Sequence, residues 1–221
     1  MPGDPKLETA DELHALFSDI ERLKNYKYTQ PAGNPNVNNE EFHLELPFEE
    51  IKSIVQAHGD RFMAAVPANE REALKWEHVG STSIKGMPGT KMPDALLIVP
   101  EFPPSKGVIQ ALLDCGFYFS SSAALDLRDL WWMYIFTDGP LDGHKLVLHI
   151  VTEDNVAGKI LRETRDLCNT EEWAFNDYKE AKMSAYQGAN GEFKNYKMGK
   201  GKKSKLLEML REKHNANVKN P

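Results

Sequence analysis

The sequence predicts an α+β domain: a mixed sheet flanked by helices, with C-terminal helices and one appended N-terminal helix. Segments rich in β-branched and aromatic residues, bounded by glycine and proline, fall before Thr152, whereas helical periodicity dominates after it. Strands that come first and helices that come last, without an internal repeat, are typical of an α+β fold.

The N-terminal region predicts an extension to this domain. Residues 9–24 carry a capping-box pattern and an apolar face, which together indicate an amphipathic helix. Residues 28–39 collect proline, glycine and asparagine and predict an irregular loop. We therefore expect an extension over residues 1–40, a domain over residues 41–214 and a disordered tail over residues 215–221. The helix could pack on the domain, pair with a second copy of the chain in a homodimer, or serve a separate function.

The domain begins with a helix at Pro47, because proline is favoured in the first helical turn. The elements that follow are placed by periodicity and by start and stop residues. Strands are predicted at residues 75–79, 94–99, 117–120, 130–136 and 144–151, and helices at residues 105–114, 154–168, 171–187 and 203–214. Residues 138–143 are expected to join the last two strands as a hairpin.

The composition limits the classes of partner and the location that we expect for the protein. Hydrophobic residues make up 41% and charged residues 27% of the 221 residues, which is ordinary for a globular protein. No apolar run approaches the ~20 residues that cross a bilayer, so no membrane partner is expected. A net charge of −6 argues against nucleic acid as a partner, because duplex binding relies on a basic surface. The absence of a signal-peptide pattern and the presence of only two cysteines predict a cytoplasmic location with reduced thiols.

One segment carries most of the chemical information. A turn at Gly80 and Ser81 follows a predicted strand, and Thr82 and Ser83 extend it with further hydroxyl groups. Asp94 opens the next strand. A Gly-Ser turn lets backbone and hydroxyl groups approach a triphosphate, and an acid on the next strand can hold the metal ion that neutralises it. The same residues also suit an ordinary β-hairpin with a glycine turn.

Further short motifs follow this segment in a fixed order. The full set is Glu77-His78-Val79-Gly80-Ser81-Thr82-Ser83-Ile84 with Gly86-Met87 and Asp94, Gly116-Phe117-Tyr118, Leu148-His149-Ile150, Arg165-Asp166, Tyr178 with Lys182, and Tyr196 with Gly199-Lys200. Over residues 48–212 this ordered set resembles the GrpB-like family, a branch of the nucleotidyltransferase superfamily. The resemblance implies a nucleotidyltransferase-like fold more firmly than it implies a reaction, because one fold can carry many functions.

The resemblance implies a site in which Asp94 and His149 are the catalytic pair and Asp94 is the metal ligand. The implied cofactors are Mg²⁺ and ATP or another nucleoside triphosphate. Many nucleotidyltransferases carry a second acid two residues after the first, but here that position is Leu96, which leaves open a single Mg²⁺ carried in by the triphosphate. The cofactor is expected to contact Gly80, Ser81, Thr82, Ser83, Arg165, Lys182 and Lys200. The substrate is expected to contact Glu77, His78, Tyr178 and Tyr196.

The leading interpretation is an enzyme that binds a nucleoside triphosphate and activates or modifies a small acceptor, by nucleotidyl transfer or ATP-dependent ligation. The missing second acid favours an alternative: an ATP-independent enzyme or small-molecule binding protein that retains the fold and uses Asp94 and His149 as an acid-base pair. An interaction protein that uses the N-terminal helix is the third possibility.

Glu77 and His78 project from opposite faces of their strand, and the sequence does not say which of them shares a face with Asp94.

Overall fold

A five-stranded mixed sheet forms the centre of the computed structural model, which describes residues 6–26, 42–122, 132–136, 146–189, 196 and 204–218. The strands of this sheet are β2 (Lys75–Val79), β4 (Asp94–Val99), β5 (Phe117–Ser122), β6 (Trp132–Phe136) and β7 (Leu146–Thr152). Their spatial order is β2-β4-β7-β6-β5, in which β4 and β7 are parallel and all other neighbours are antiparallel. A separate pair joins β1 (Phe42–His43) to β3 (Gly89–Thr90).

Helices lie on both faces of the sheet. They are α1 (Ala10–Ser18), α2 (Ile20–Asn25), α3 (Phe48–Ala65), α4 (Ala68–Arg71), α5 (Lys106–Asp114), α6 (Val156–Thr170), α7 (Glu172–Gly188) and α8 (Lys205–Val218). A short 3₁₀ turn, Ser81–Ser83, lies between β2 and β3. A mixed sheet flanked by helices confirms the predicted α+β class. No helix in the described part of the chain is long and apolar enough to cross a bilayer.

The strand register decides which side chains share a face of the sheet. Val79 lies opposite Asp94 on β4, and Leu96 lies opposite both Glu77 on β2 and His149 on β7. Residues that lie opposite each other on neighbouring strands project to the same face. Glu77 therefore shares a face with Asp94 and His149, and α6 covers that face where Leu161 packs on the sheet.

The opposite face carries the main hydrophobic core. Side chains of α1, α3 and α5 pack there against alternate residues of β4 and β7. The N-terminal helix is part of this core, because Leu13 and Leu16 have no exposed surface and Phe17 contacts the ring of Phe119 at a centroid distance of 5.2 Å. Of the three roles that the sequence leaves open for this helix, the structure shows packing on the domain.

The largest departures from the predicted helices are near the two ends of the chain. The helix predicted over residues 9–24 is two helices, because Asp19 adopts an extended conformation and its side chain accepts a hydrogen bond from the backbone N–H of Arg22, which caps α2. The last helix does not end at residue 214 but continues to Val218, since no glycine or proline interrupts it. Residues 28–39 and 138–143 lie outside the described residues.

The C-terminal helices form a second layer around the candidate site. Asp177 on α7 caps the start of α8, where it accepts hydrogen bonds from the Ser204 hydroxyl at 2.8 Å and the Leu206 backbone N–H at 3.0 Å. Lys213 and His214 near the other end of α8 contact Glu163 of α6 at 2.7 and 3.0 Å. These contacts fix α7 relative to the sheet, and α7 supplies two of the predicted site residues.

Candidate functional site

The chain turns sharply where β2 ends, and this turn lies against the first residue of β4. Gly80 has φ 70° and ψ −170°, a conformation that residues other than glycine rarely adopt. A Cβ atom at Gly80 would lie 2.3 Å from Oδ2 of Asp94, so a glycine is needed for the backbone to approach the carboxylate this closely. The Ser83 hydroxyl donates to the Gly80 carbonyl at 2.6 Å and holds the 3₁₀ turn in place.

Asp94 and His149 are joined by a hydrogen bond between the parallel strands β4 and β7. The distance from His149 Nε2 to Asp94 Oδ1 is 3.1 Å, and the exposed fractions of the two side chains are 6% and 26% respectively. The imidazole is therefore buried, whereas the carboxylate reaches the surface. A buried imidazole orients the carboxylate for a ligand, and a pair of this kind can take up or release a proton.

Lys182 lies close to the Gly-Ser turn although it comes from α7. Its side chain is 1% exposed, and a Cβ atom at Gly89 would lie 2.9 Å from Lys182 Nζ and 3.5 Å from Ser81 Oγ. The ammonium group and the Ser81 hydroxyl thus both border Gly89, where the lack of a side chain leaves room for the ammonium group. Burial of an ammonium group is costly unless nearby groups compensate its charge.

Tyr178 and Tyr196 are both buried, and Tyr178 lies near the Lys182 ammonium group. Lys182 Nζ is 5.5 Å from the centroid of the Tyr178 ring, a distance at which a cation is attracted to the ring face. Burial raises the pKa of Tyr178, and the charges of Tyr196 and Asp94 raise it further, so the phenol stays protonated at neutral pH. Burial likewise raises the pKa of Tyr196. The predicted cofactor residue Lys200 lies outside the described residues.

Arg165 connects α6 to β2. Its Nη1 donates to Glu77 Oε2 at 2.8 Å and to the His78 carbonyl at 3.1 Å, and its Nε donates to Asp166 Oδ1 at 2.7 Å. Glu77 is 23% exposed and is also 4.0 Å from Arg162. These contacts give both Arg165 and Glu77 a structural role, while their predicted contacts with cofactor and substrate stay predictions.

We expect the Arg165→Gln variant to lose about 1–3 kcal/mol of unfolding free energy, because it leaves the half-buried Glu77 carboxylate without its closest cation. Urea denaturation measures this loss. Lys159→Gln is the matched control on the same helix, since Lys159 pairs with Asp154, which is 96% exposed, and such pairs contribute little. Equal stability of the Arg165 variant and the wild type would contradict a structural role for this ion pair.

His78 lies on the opposite face of the sheet from Asp94 and His149. Its Nε2 is 2.9 Å from the Thr82 hydroxyl, and this contact fastens the 3₁₀ turn to β2. Burial lowers the pKa of His78 to about 4, although the charge of Asp94 acts in the other direction, so the ring is neutral at pH 7. His78, a predicted substrate residue, therefore supports the turn from the face of the sheet opposite to Asp94.

The donor set around Asp94 fits a metal ion that arrives with its own ligands. Within the residues that the structure describes, no group of three or more histidine, cysteine, aspartate or glutamate side chains could hold a metal ion. Mg²⁺ in phosphate-binding sites commonly takes one or two protein carboxylates and completes its shell with phosphate and water oxygens. One partly exposed carboxylate suits that arrangement and does not suit a metal site built by the protein alone.

Two residues of the site were not predicted from the sequence. Gly89 leaves room for the ammonium group of Lys182. The sequence feature that could have indicated this role is the position of Gly89 between Gly80 and Asp94. Asn169 donates from Nδ2 to the Ser83 carbonyl at 3.2 Å and so supports the turn from α6. Asn169 follows Arg165 by one helical turn, but it falls beyond the predicted end of that helix at residue 168, whereas α6 continues to Thr170.

A family model and a solved structure are similar to this chain. The family model described as GrpB protein matches residues 48–209. A crystal structure of the conserved protein GrpB from Enterococcus faecalis is similar in fold, with a TM-score of 0.53, 17% identity, and coverage of 81% of this chain and 100% of that chain. Among curated proteins, no significant match was found.

Two polymerase structures show a weaker similarity. The Cid1 poly(U) polymerase bound to MgGTP has a TM-score of 0.34 at 10% identity, with 62% of this chain and 43% of that chain covered. The poly(A) polymerase complex GLD-2–GLD-3 has a TM-score of 0.36 at 11% identity, with 79% of this chain and 50% of that chain covered.

The match to the family model spans well over half of the 221 residues and includes the turn, Asp94, His149 and Lys182. The chain therefore belongs to the GrpB family.

Proposed function

We propose that the protein binds a nucleoside triphosphate together with Mg²⁺ and activates or modifies a small acceptor, by nucleotidyl transfer or by ligation through an adenylate. One observation carries the proposal. The buried ammonium group of Lys182 and the Ser81 hydroxyl both border Gly89, and Ser81 directly follows the glycine that lies against the Asp94 carboxylate. A buried cation, a hydroxyl donor and a partly exposed carboxylate in one place suit a phosphate group with its metal ion.

Lys182 and Ser81 bind phosphate oxygens in this proposal. A charge-assisted hydrogen bond between an ammonium group and a phosphate oxygen is shorter and stronger than a bond between neutral groups. The face of Tyr178 lies 5.5 Å from the Lys182 ammonium group and limits where it can move. In this role Lys182 would stabilise the negative charge that develops when pyrophosphate leaves the α-phosphorus.

Asp94 and His149 act on the metal ion and the acceptor. The carboxylate supplies one Mg²⁺ ligand, and the hydrogen bond of 3.1 Å from His149 fixes its orientation. Bound Mg²⁺ neutralises charge on the phosphate groups. The acceptor oxygen attacks the α-phosphorus, its proton passes to the Asp94–His149 pair, and pyrophosphate leaves with the electrons of the broken bond.

Titration calorimetry with ATP, with and without Mg²⁺, tests the proposal. We expect the wild type to bind MgATP, and we expect Asp94→Asn to weaken that binding by about 10-fold or more, because an amide is a much poorer Mg²⁺ ligand than a carboxylate. The variant keeps the shape of the side chain and an acceptor for His149, so its fold should survive. Asp154→Asn is the control, since Asp154 is 96% exposed on the surface.

A second candidate function rests on the same pair of residues. Leu96 occupies the position of a second acid and lies in the apolar core with no exposed surface, so only one carboxylate of β4 serves the site. An ATP-independent enzyme that uses Asp94 and His149 for proton transfer would suit this arrangement. If millimolar ATP does not bind to the wild type in the presence of Mg²⁺, the triphosphate proposal falls and this second function becomes the one to pursue.

A further inference from the structure

An aromatic pair lies next to the proposed phosphate site. The rings of Phe42 and Tyr186 are stacked, with centroids 4.1 Å apart and an interplanar angle of 11°. Tyr196 packs edge-on against Phe42 at 5.2 Å and is 4% exposed, so it supports the pair from the inside. Tyr186 is 40% exposed although one face of its ring is covered by Phe42. Part of the Tyr186 side chain is therefore accessible to a ligand.

Two separate elements bring this pair to the site. On α7, Tyr186 follows Lys182 by four residues, which places the two side chains one turn apart on the same face of the helix. On β1, Phe42 lies opposite Thr90, the residue after Gly89, against which the Lys182 ammonium group lies. The two aromatic residues therefore lie on the same two elements, α7 and the β1–β3 pair, that position the Lys182 ammonium group.

Phe42 comes from a part of the chain that the GrpB family model does not match. The match begins at residue 48, and Phe42 reaches the site only through the two-residue pairing of β1 with β3. The segment before the matched region thus contributes a side chain to the surroundings of the site.

We propose that Phe42 and Tyr186 form a stacking platform for the base of the nucleotide whose phosphates are bound by Lys182 and Ser81. The inference rests on the proposed function and deepens it, because it makes the ligand a nucleotide with a planar base and not a polyphosphate alone. Aromatic side chains stack on nucleobases through their ring faces, and the contact is largely independent of which base is present. Tyr186 offers the ring face, and Phe42 holds that ring from behind.

Calorimetric titration with two probes, MgATP and magnesium tripolyphosphate, tests the platform. We expect Phe42→Leu and Tyr186→Leu to weaken MgATP binding by about 10-fold and to leave tripolyphosphate binding unchanged, since only ATP carries a base. Tyr186→Phe keeps the ring and should restore the affinity for MgATP. Trp173→Leu is the matched control, because Trp173 is a 49% exposed aromatic residue in the first turn of the same helix.

Each outcome separates this inference from the proposed function. If tripolyphosphate binds as tightly as ATP, and neither leucine variant changes the ratio of the two affinities, the platform is overturned while the phosphate site stands. If the leucine variants weaken both ligands equally, the pair is structural and the platform is again overturned. If the wild type binds neither probe, the proposed function fails and the platform falls with it. Circular dichroism melting curves of every variant establish that the compared proteins are folded.

Discussion

The Gly80→Ala variant is expected to lose about 3 kcal/mol or more of unfolding free energy and to lose MgATP binding. Two physical effects add at this position. At φ 70° and ψ −170° an alanine is strained by about 1–3 kcal/mol. In addition, its Cβ would lie 2.3 Å from Oδ2 and 2.9 Å from Cγ of Asp94, so the carboxylate or the backbone must shift. A shift of the carboxylate breaks its hydrogen bond with His149.

Gly188→Ala provides the matched control. Gly188 is the last residue of α7, and a Cβ atom there would meet nothing within 4 Å. Alanine is favoured over glycine in a helix by about 1 kcal/mol, so this variant should be as stable as the wild type or slightly more stable. Chemical denaturation compares the three proteins. A Gly80 variant with wild-type stability and wild-type affinity for MgATP would show that the close approach to Asp94 has no consequence.

The strands next to the site were predictable because a glycine or a proline marks one end of each. The predicted ranges 75–79 and 94–99 agree with β2 and β4, since Gly80 follows the first and Pro93 precedes the second. The N-terminal helix was harder, because its apolar rhythm continues in phase across Asp19. An aspartate can lie within a helix or cap a new one, and only the fold selects between these choices.

The site was predictable in its residues but not in its arrangement. The sequence motifs identified Gly80, Asp94, His149 and Lys182 as site residues. In the structure Asp94 lies against Gly80 and is hydrogen-bonded to His149, and Lys182 borders Gly89 together with the Ser81 hydroxyl. Which of Glu77 and His78 shares a face with Asp94 depends on the pairing of β2 with β4, and a single strand carries no information about its partner's register.

The burial of Lys182 and the two-residue pairing of β1 with β3 also could not be predicted from the sequence. Lys182 belongs to a helix with charged neighbours, a setting in which lysine side chains are mostly exposed, whereas Lys182 is 1% exposed. Phe42 was missed because a strand of two residues shows no periodicity. Both residues are placed by contacts with chain segments distant in sequence, and such contacts are set by the packing of the whole fold.

The second large effect concerns the pH dependence of stability, which we expect to depend strongly on His78. The ordinary pKa of histidine is 6.5, and burial lowers the pKa of His78 in the folded protein to about 4. Between these values the unfolded chain binds a proton at His78 and the folded protein does not. Stability therefore decreases as the pH falls from 6.5 towards 4, and this one group contributes a loss of up to roughly 3 kcal/mol.

Urea denaturation between pH 7.5 and pH 4 measures this contribution when the wild type is compared with His78→Gln. Glutamine does not titrate, and its side chain can still hydrogen-bond to the Thr82 hydroxyl, so the two proteins should have similar stability at pH 7.5. As the pH falls, the wild type should lose stability faster than the variant, and the gap should be widest near pH 4. Parallel curves over this range would mean that His78 takes up its proton equally in the folded and unfolded states. The ring behind the turn would then be open to solvent, contrary to the burial that holds it neutral.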